Sequence, residues 1–260
     1  VVTFDYGRLQ EEGAGCNETG AELQYIEKLI EYHMTPVGMS RAWQHVFSRV
    51  VLAAQRFWAE NAPSQPVSLR DVKRTARLGA FWLATMCSRP GMPVRPRGRG
   101  TGQRYEIATM RHVGALGAGD PQSAWGVADL RCESALRAIV MAVNMTYVVR
   151  LPREHHRDMV REHLARELAI ELDTKVGDAA DQVHPMWLTD PSGRPGALPS
   201  RRFDMRVMAS RMKEVLQLEA EFFTAHMAMP PGVAKNKTLC ENILVELVCI
   251  LNRIPVILCG

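Results

Sequence analysis

Three places in this sequence carry residue types at spacings that could do chemistry. In Ser68-Leu69-Arg70-Asp71, Arg70 falls in the opening turn of an expected helix. From there an arginine can reach across a cleft to a phosphate, because its planar fork suits bidentate contact. Asp71 and Lys73 flank it and Arg74 lies one turn on, so a solvated charged face is the other reading of the same residues. The second place is the chain's end, where Pro255-Val256-Ile257-Leu258-Cys259 has the length and branching of a buried strand and runs into Gly260. A phosphate-binding loop begins in this way, but the lysine and hydroxyl residue that complete one are not part of this sequence. The third is Glu154-His155-His156-Arg157-Asp158 with Glu162-His163 further on. His156 and His163 would share a helix face, but no H-E-x-x-H motif or second cluster supplies further ligands, so surface histidines and no metal are expected. No G-x-S-x-G elbow is present, no cysteine has a histidine placed to activate it, and His45 beside Trp43 reads as a packing residue.

Composition narrows the class. The 260 residues can bury a substantial core, and 47% hydrophobic content is ordinary for a globular chain. No apolar run is long enough to span a bilayer. A net charge of +4, from 32 basic and 28 acidic side chains, is too balanced to argue for nucleic acid. The six cysteines show neither C-x-x-C nor zinc-like spacing, so reduced thiols in a cytoplasmic protein are expected. Val1-Val2-Thr3-Phe4-Asp5 lacks an initiator methionine and the regions of a signal peptide, so the sequence is expected to be a piece of something longer.

The elements that must position these residues are helical. Residues 1–20 are poor in pattern and read as a loose connection. Leu23, Ile26, Leu29 and Ile30 mark a first helix, and Trp43, Val46, Phe47, Val50, Val51 and Ala54 a second, capped by Ser40. Ser68 to Asp71 is a capping box opening a third, with Leu69, Val72, Ala76, Trp82 and Leu83 inward. Together 21–87 form a small bundle. Residues 88–133 are rich in Gly, Pro and Arg and read as a flexible basic linker. Its Arg97-Gly98-Arg99-Gly100 is like a fragment of an RNA-binding segment, without the interleaved aromatic residues such segments use. Residues 134–235 return to helices. One is apolar on nearly all sides around Leu136 to Val148. A second starts at Pro152, with Met159, Val160, Leu164, Leu168 and Ile170 inward, and a third runs from about 203 to 226, with 173–200 a loop between them. A last helix opens with a capping box at Thr238-Leu239-Cys240-Glu241 and carries Ile243, Leu244, Leu247, Val248 and Leu251 on one stripe.

Four segments occur in a telling order: Glu22-Leu23-Gln24-Tyr25-Ile26-Glu27, Val67-Ser68-Leu69-Arg70-Asp71-Val72-Lys73-Arg74, Asn236-Lys237-Thr238-Leu239-Cys240-Glu241-Asn242-Ile243, and Arg253-Ile254-Pro255-Val256-Ile257-Leu258-Cys259-Gly260. This order resembles the mysterin family, giant ring-finger proteins with AAA+ ATPase units and ubiquitin ligase activity. The resemblance covers about half the chain. It implies a mainly α fold, with an AAA+ lid bundle (21–87), a helical spacer (134–235), and the first helix and strand of a following α/β AAA+ core (236–260). It also implies that Arg70, with Arg74 as runner-up, is a lid arginine meeting the nucleotide of the preceding unit. Gly260 would be the first glycine of the next phosphate loop. ATP and Mg would bind the parent protein and not this piece, which lacks a complete active site. The implied partners are neighbouring AAA+ units, a ubiquitin-conjugating enzyme and ubiquitin. The alternative is an all-helical scaffold or binding module whose basic linker docks RNA or acidic partners.

Overall fold

The computed structural model describes residues 18–61, 67–88, 93–94, 105–106, 127–176, 187, 203–225, 227, 229–230, 232–234 and 236–255. Residues 1–17 of the expected loose connection, the arginine-glycine fragment at 97–100, most of 88–126 and 173–200, the strand beyond Pro255 and Gly260 lie outside them, while 18–20, also expected to be loose, are already helical.

The chain is mainly α-helical, as expected. The described residues form α1 (Glu18–Met34), α2 (Arg41–Asn61), α3 (Leu69–Ser88), α4 (Val127–Val143), α5 (Glu154–Lys175), α6 (Met205–Ala225) and α7 (Lys237–Leu251). A 3-10 turn, Thr35–Val37, closes α1, and a π-turn, Asn144–Val148, closes α4. Pro93–Val94 and Tyr105–Glu106, within the stretch expected to be linker, form a short antiparallel pair.

α4 is the centre. Every residue from Ala135 to Val148 is buried, because this segment has no polar stripe to turn to water. α2, α3 and α6 pack around it, α5 lies on α2 and α6, α1 on α2 and α3, and α7 on α6. Several of the polar groups that go inside are tied across helices. Asn144 Nδ2 donates to the Met212 carbonyl at 3.1 Å, Gln55 Nε2 to the Tyr147 hydroxyl at 2.7 Å, and Trp82 Nε1 to Met145 Sδ at 3.3 Å. Burial pushes the Tyr147 hydroxyl above the usual phenol range, against its bonds to Thr75 and Gln55. The helices expected as lid and those expected as spacer therefore share one continuous apolar core.

Several local expectations are corrected. α4 starts at Val127, ahead of Ser134, and α5 starts at Glu154, with Arg153 and not Pro152 at its border. Met159 and Ile170 face outward, because Val160, Leu164, Leu168 and Leu172 at four-residue spacing already define the buried stripe of α5. α7 is capped by Asn236, whose side chain accepts from Leu239 N at 2.8 Å, so Thr238 is not the cap. Leu251 is exposed, and Cys240 and Cys249 take the buried places on α7. Trp187, inside the expected loop, is fully buried, and its Nε1 donates to the Glu133 carboxylate at 2.9 Å. No helix among the described residues is long and apolar enough to cross a membrane.

α3 approaches α2 and α1 closely at Gly79. A Cβ there would meet Phe47 Cε1 at 2.5 Å and Met34 Cε at 3.2 Å. Alanine gains about 1 kcal/mol in helix propensity, but overpacking a core costs about 1–3 kcal/mol, and a ring buried on all sides cannot move aside. Gly79→Ala is therefore expected to lower stability by about 1 kcal/mol net. Urea unfolding checks this, and a rise in stability would show that Phe47 repacks freely.

Candidate functional site

The first turns of α3 hold the candidate arginine, and they are built to be rigid. Asp71 Oδ2 accepts from the Ser68 backbone N–H at 2.9 Å and from its hydroxyl at 3.2 Å, which is the reach-back half of the expected capping box. The other oxygen of Asp71 lies 3.7 Å from the Arg150 guanidinium, which sits 4.7 Å over the Trp58 ring. On this base Arg70, Lys73, Arg74 and Arg77 follow at helical spacing and share one face. Arg70 and Lys73 are exposed, and Arg70 forms no hydrogen bond or ion pair with any described residue.

The other two arginines reach a different part of the chain. Arg74 Nη2 donates to Cys249 Sγ at 3.1 Å, and Arg77 donates to the Asn252 carbonyl. Cys249 lies in the last turn of α7 and Asn252 caps it, where cations meet the negative end of the helix dipole. That turn is closed by Arg253 at φ 52, with Ile254 N donating to the Cys249 carbonyl at 2.8 Å. The capped helix and the Ser68–Arg74 segment, far apart in sequence, are thus neighbours in space. Gly260 lies outside the described residues, so no position is given to it.

His33 of α1 lies near the same face. Burial, and then the charges of Arg77 and Lys73, hold its imidazole below the usual range, which keeps it neutral.

The histidine-rich stretch on α5 does something else. His155 and His156 are exposed, while His163 stacks on Phe57 with ring centres 4.9 Å apart. The acids around them take cations as partners. Glu154 lies 2.7 Å from Lys213 and 3.1 Å from Arg161, and Glu241 of α7 lies 3.0 Å from Arg157. Burial works to raise the Glu154 pKa, but the Lys213 hydrogen bond and the charges of Arg161 and Lys237 outweigh it and bring it down to about 2. His45, expected as a packing residue, instead bridges helices: Nδ1 meets Glu27 at 2.9 Å, and Nε2 lies 3.8 Å from Glu171, which Arg49 also holds at 3.0 Å.

Both depressed groups make the fold sensitive to acid. His33 is neutral when folded, so stability present above its ordinary value of 6.5 is lost as pH falls below it. Glu154 adds a second loss as pH falls from 4.5 towards about 2. Denaturant midpoints at pH 7.5, 5.5 and 3 are expected to fall in that order, with Glu154→Gln flattening the lower step. A midpoint that rises towards pH 5.5 would contradict the His33 assignment.

Sequence reasoning found Arg70 and Arg74 but missed Arg77, Cys249 and Asn252, although the spacing 70, 73, 74, 77 was readable as one face. No protein-family model matches this chain, and no curated protein matches it.

Proposed function

We propose that this chain is an internal, helical part of a mysterin-like AAA+ ATPase and ubiquitin ligase, and that its work is to couple two ATPase units. The observation that carries the proposal is the contact of Arg74 and Arg77 on α3 with the last turn of α7. In a mysterin-like chain α3 is the lid helix of one unit, and α7 leads into the strand and phosphate loop of the next. A lid that shifts with nucleotide state would then pull directly on the start of its neighbour. Arg70 is the lid arginine that meets the preceding unit's nucleotide. Its exposure, its rigid capping box and its lack of a partner among the described residues support that role. Arg74 is committed to Cys249 and acts as the positioning residue.

Gly260 begins the following phosphate loop. ATP and Mg bind the parent protein, in the cytoplasm, and ubiquitin transfer belongs to parts of the parent beyond these residues. Reading the coding sequence downstream of Gly260 tests the proposal. G-x-x-x-x-[GS]-K-[ST] beginning at that glycine is expected, and its absence would sink the coupling role.

A further inference from the structure

The cationic face of α3 continues onto the end of α7. Arg70, Lys73, Arg74 and Arg77 come from α3, and Arg253 comes from the turn that closes α7. None of the five is paired with a carboxylate among the described residues. Arg74 and Arg77 direct donors to the Cys249 thiol and the Asn252 carbonyl, which leaves their charge uncompensated. Asp71, the nearest acid in sequence, is turned to Ser68 and Arg150. The side chains of Lys73 and Arg253 are exposed and bond to no described residue. The α5–α6–α7 side of the molecule is arranged differently: there Arg157, Arg161, Lys213 and Lys237 each lie against Glu154, Asp158 or Glu241.

Apolar side chains border the unpaired charges. Ile250 is 63% exposed and Leu251 57%. Arg253 N donates to the Ile250 carbonyl at 3.0 Å and Asn252 Nδ2 to the Val248 carbonyl at 2.8 Å, so the turn holds both in place. On the α1 side, Tyr32 is 74% exposed and lies edge-on to His33, which feels the charges of Arg77 and Lys73. Unpaired like charges raise a local potential that draws anions, and exposed aliphatic groups gain by leaving water. A nucleic-acid strand would answer the charge, but it stacks its bases on aromatic platforms and has nothing to set against Ile250 and Leu251. We infer that this face docks an acidic segment of another protein. Its carboxylates meet Lys73, Arg77 and Arg253, and its aliphatic side chains cover Ile250 and Leu251. The inference does not rest on the AAA+ reading, because it needs neither a nucleotide nor Arg70.

Fluorescence anisotropy with the full 260-residue chain tests it. The probes are a short labelled peptide of glutamate and leucine, a matching peptide of glutamate and serine, and an oligouridylate. Saturable binding of the glutamate–leucine peptide is expected, tighter than either of the others and weaker as salt is raised. Lys73→Glu is expected to weaken it about tenfold, since a like charge then faces the acids. Ile250→Ser is expected to weaken it about threefold through lost apolar contact. Both side chains are exposed, so each variant should keep the wild-type thermal midpoint. No saturable binding, equal binding of the two peptides, tighter binding of the oligouridylate, or unchanged affinity in either variant would each overturn the inference.

Discussion

Arg157→Ala is expected to lower the stability of this chain by about 3 kcal/mol. Arg157 uses its whole guanidinium. Nε donates to the Leu151 carbonyl at 2.6 Å, Nη2 to the Val149 carbonyl at 3.0 Å, and Nη1 to Glu241 at 3.0 Å. It therefore fixes the turn between the π-turn and α5 and fastens α7 to it. Truncation leaves the Glu241 carboxylate, whose side chain is 5% exposed, with only Lys237 at 3.7 Å. Most of the loss comes from that stranded charge, so replacing both partners together by apolar residues should be milder. The double variant Arg157→Met, Glu241→Leu is expected to recover about half of the loss. Urea unfolding of both variants checks this, and a double variant no more stable than the single one would mean that the carbonyl bonds dominate.

Trp82→Ala is expected to cost about 4 kcal/mol. Trp82 is fully buried on α3, T-stacked on Phe81 at 5.3 Å and on Phe223 of α6 at 6.1 Å, and it donates to Met145 in the π-turn. It thus joins the expected lid to the expected spacer. A single cooperative transition, moved to lower denaturant for both segments, is the expected outcome. Two separate transitions, with the one reporting on α5 and α6 unmoved, would show that the segments are independent domains.

Much of this fold was legible because its signals are local. The stripes of α1 and α2 and the apolar wrap of α4 follow from helical spacing, and the Ser68–Asp71 box from two short side chains. What the sequence hid is what depends on distant partners. Thr238 and Glu241 have the spacing of a capping box, yet Glu241 is drawn away by Arg157 and Asn236 takes the cap. His45 looks like a core residue beside Trp43, but two carboxylates from other helices hold it. Trp187 sits among prolines and glycines, yet it joins the apolar core and its Nε1 is satisfied by Glu133 from α4. At the candidate site, Arg70 was visible as a helix-start arginine. The division of labour along its face was not, because the acceptors of Arg74 and Arg77 lie about 175 residues downstream.

In the proposed coupling role, α3 carries a nucleotide-facing arginine on a helix whose next turns hold α7. Steady-state ATP turnover of the parent protein carrying Arg70→Ala tests it most directly. Turnover is expected to fall about a hundredfold, as for loss of one charged donor to a transferring phosphoryl group, while the thermal midpoint of the variant stays at the wild-type value. Turnover equal to wild type, in a variant that folds normally, would contradict the claim and leave Arg70 as a solvated residue at a helix start.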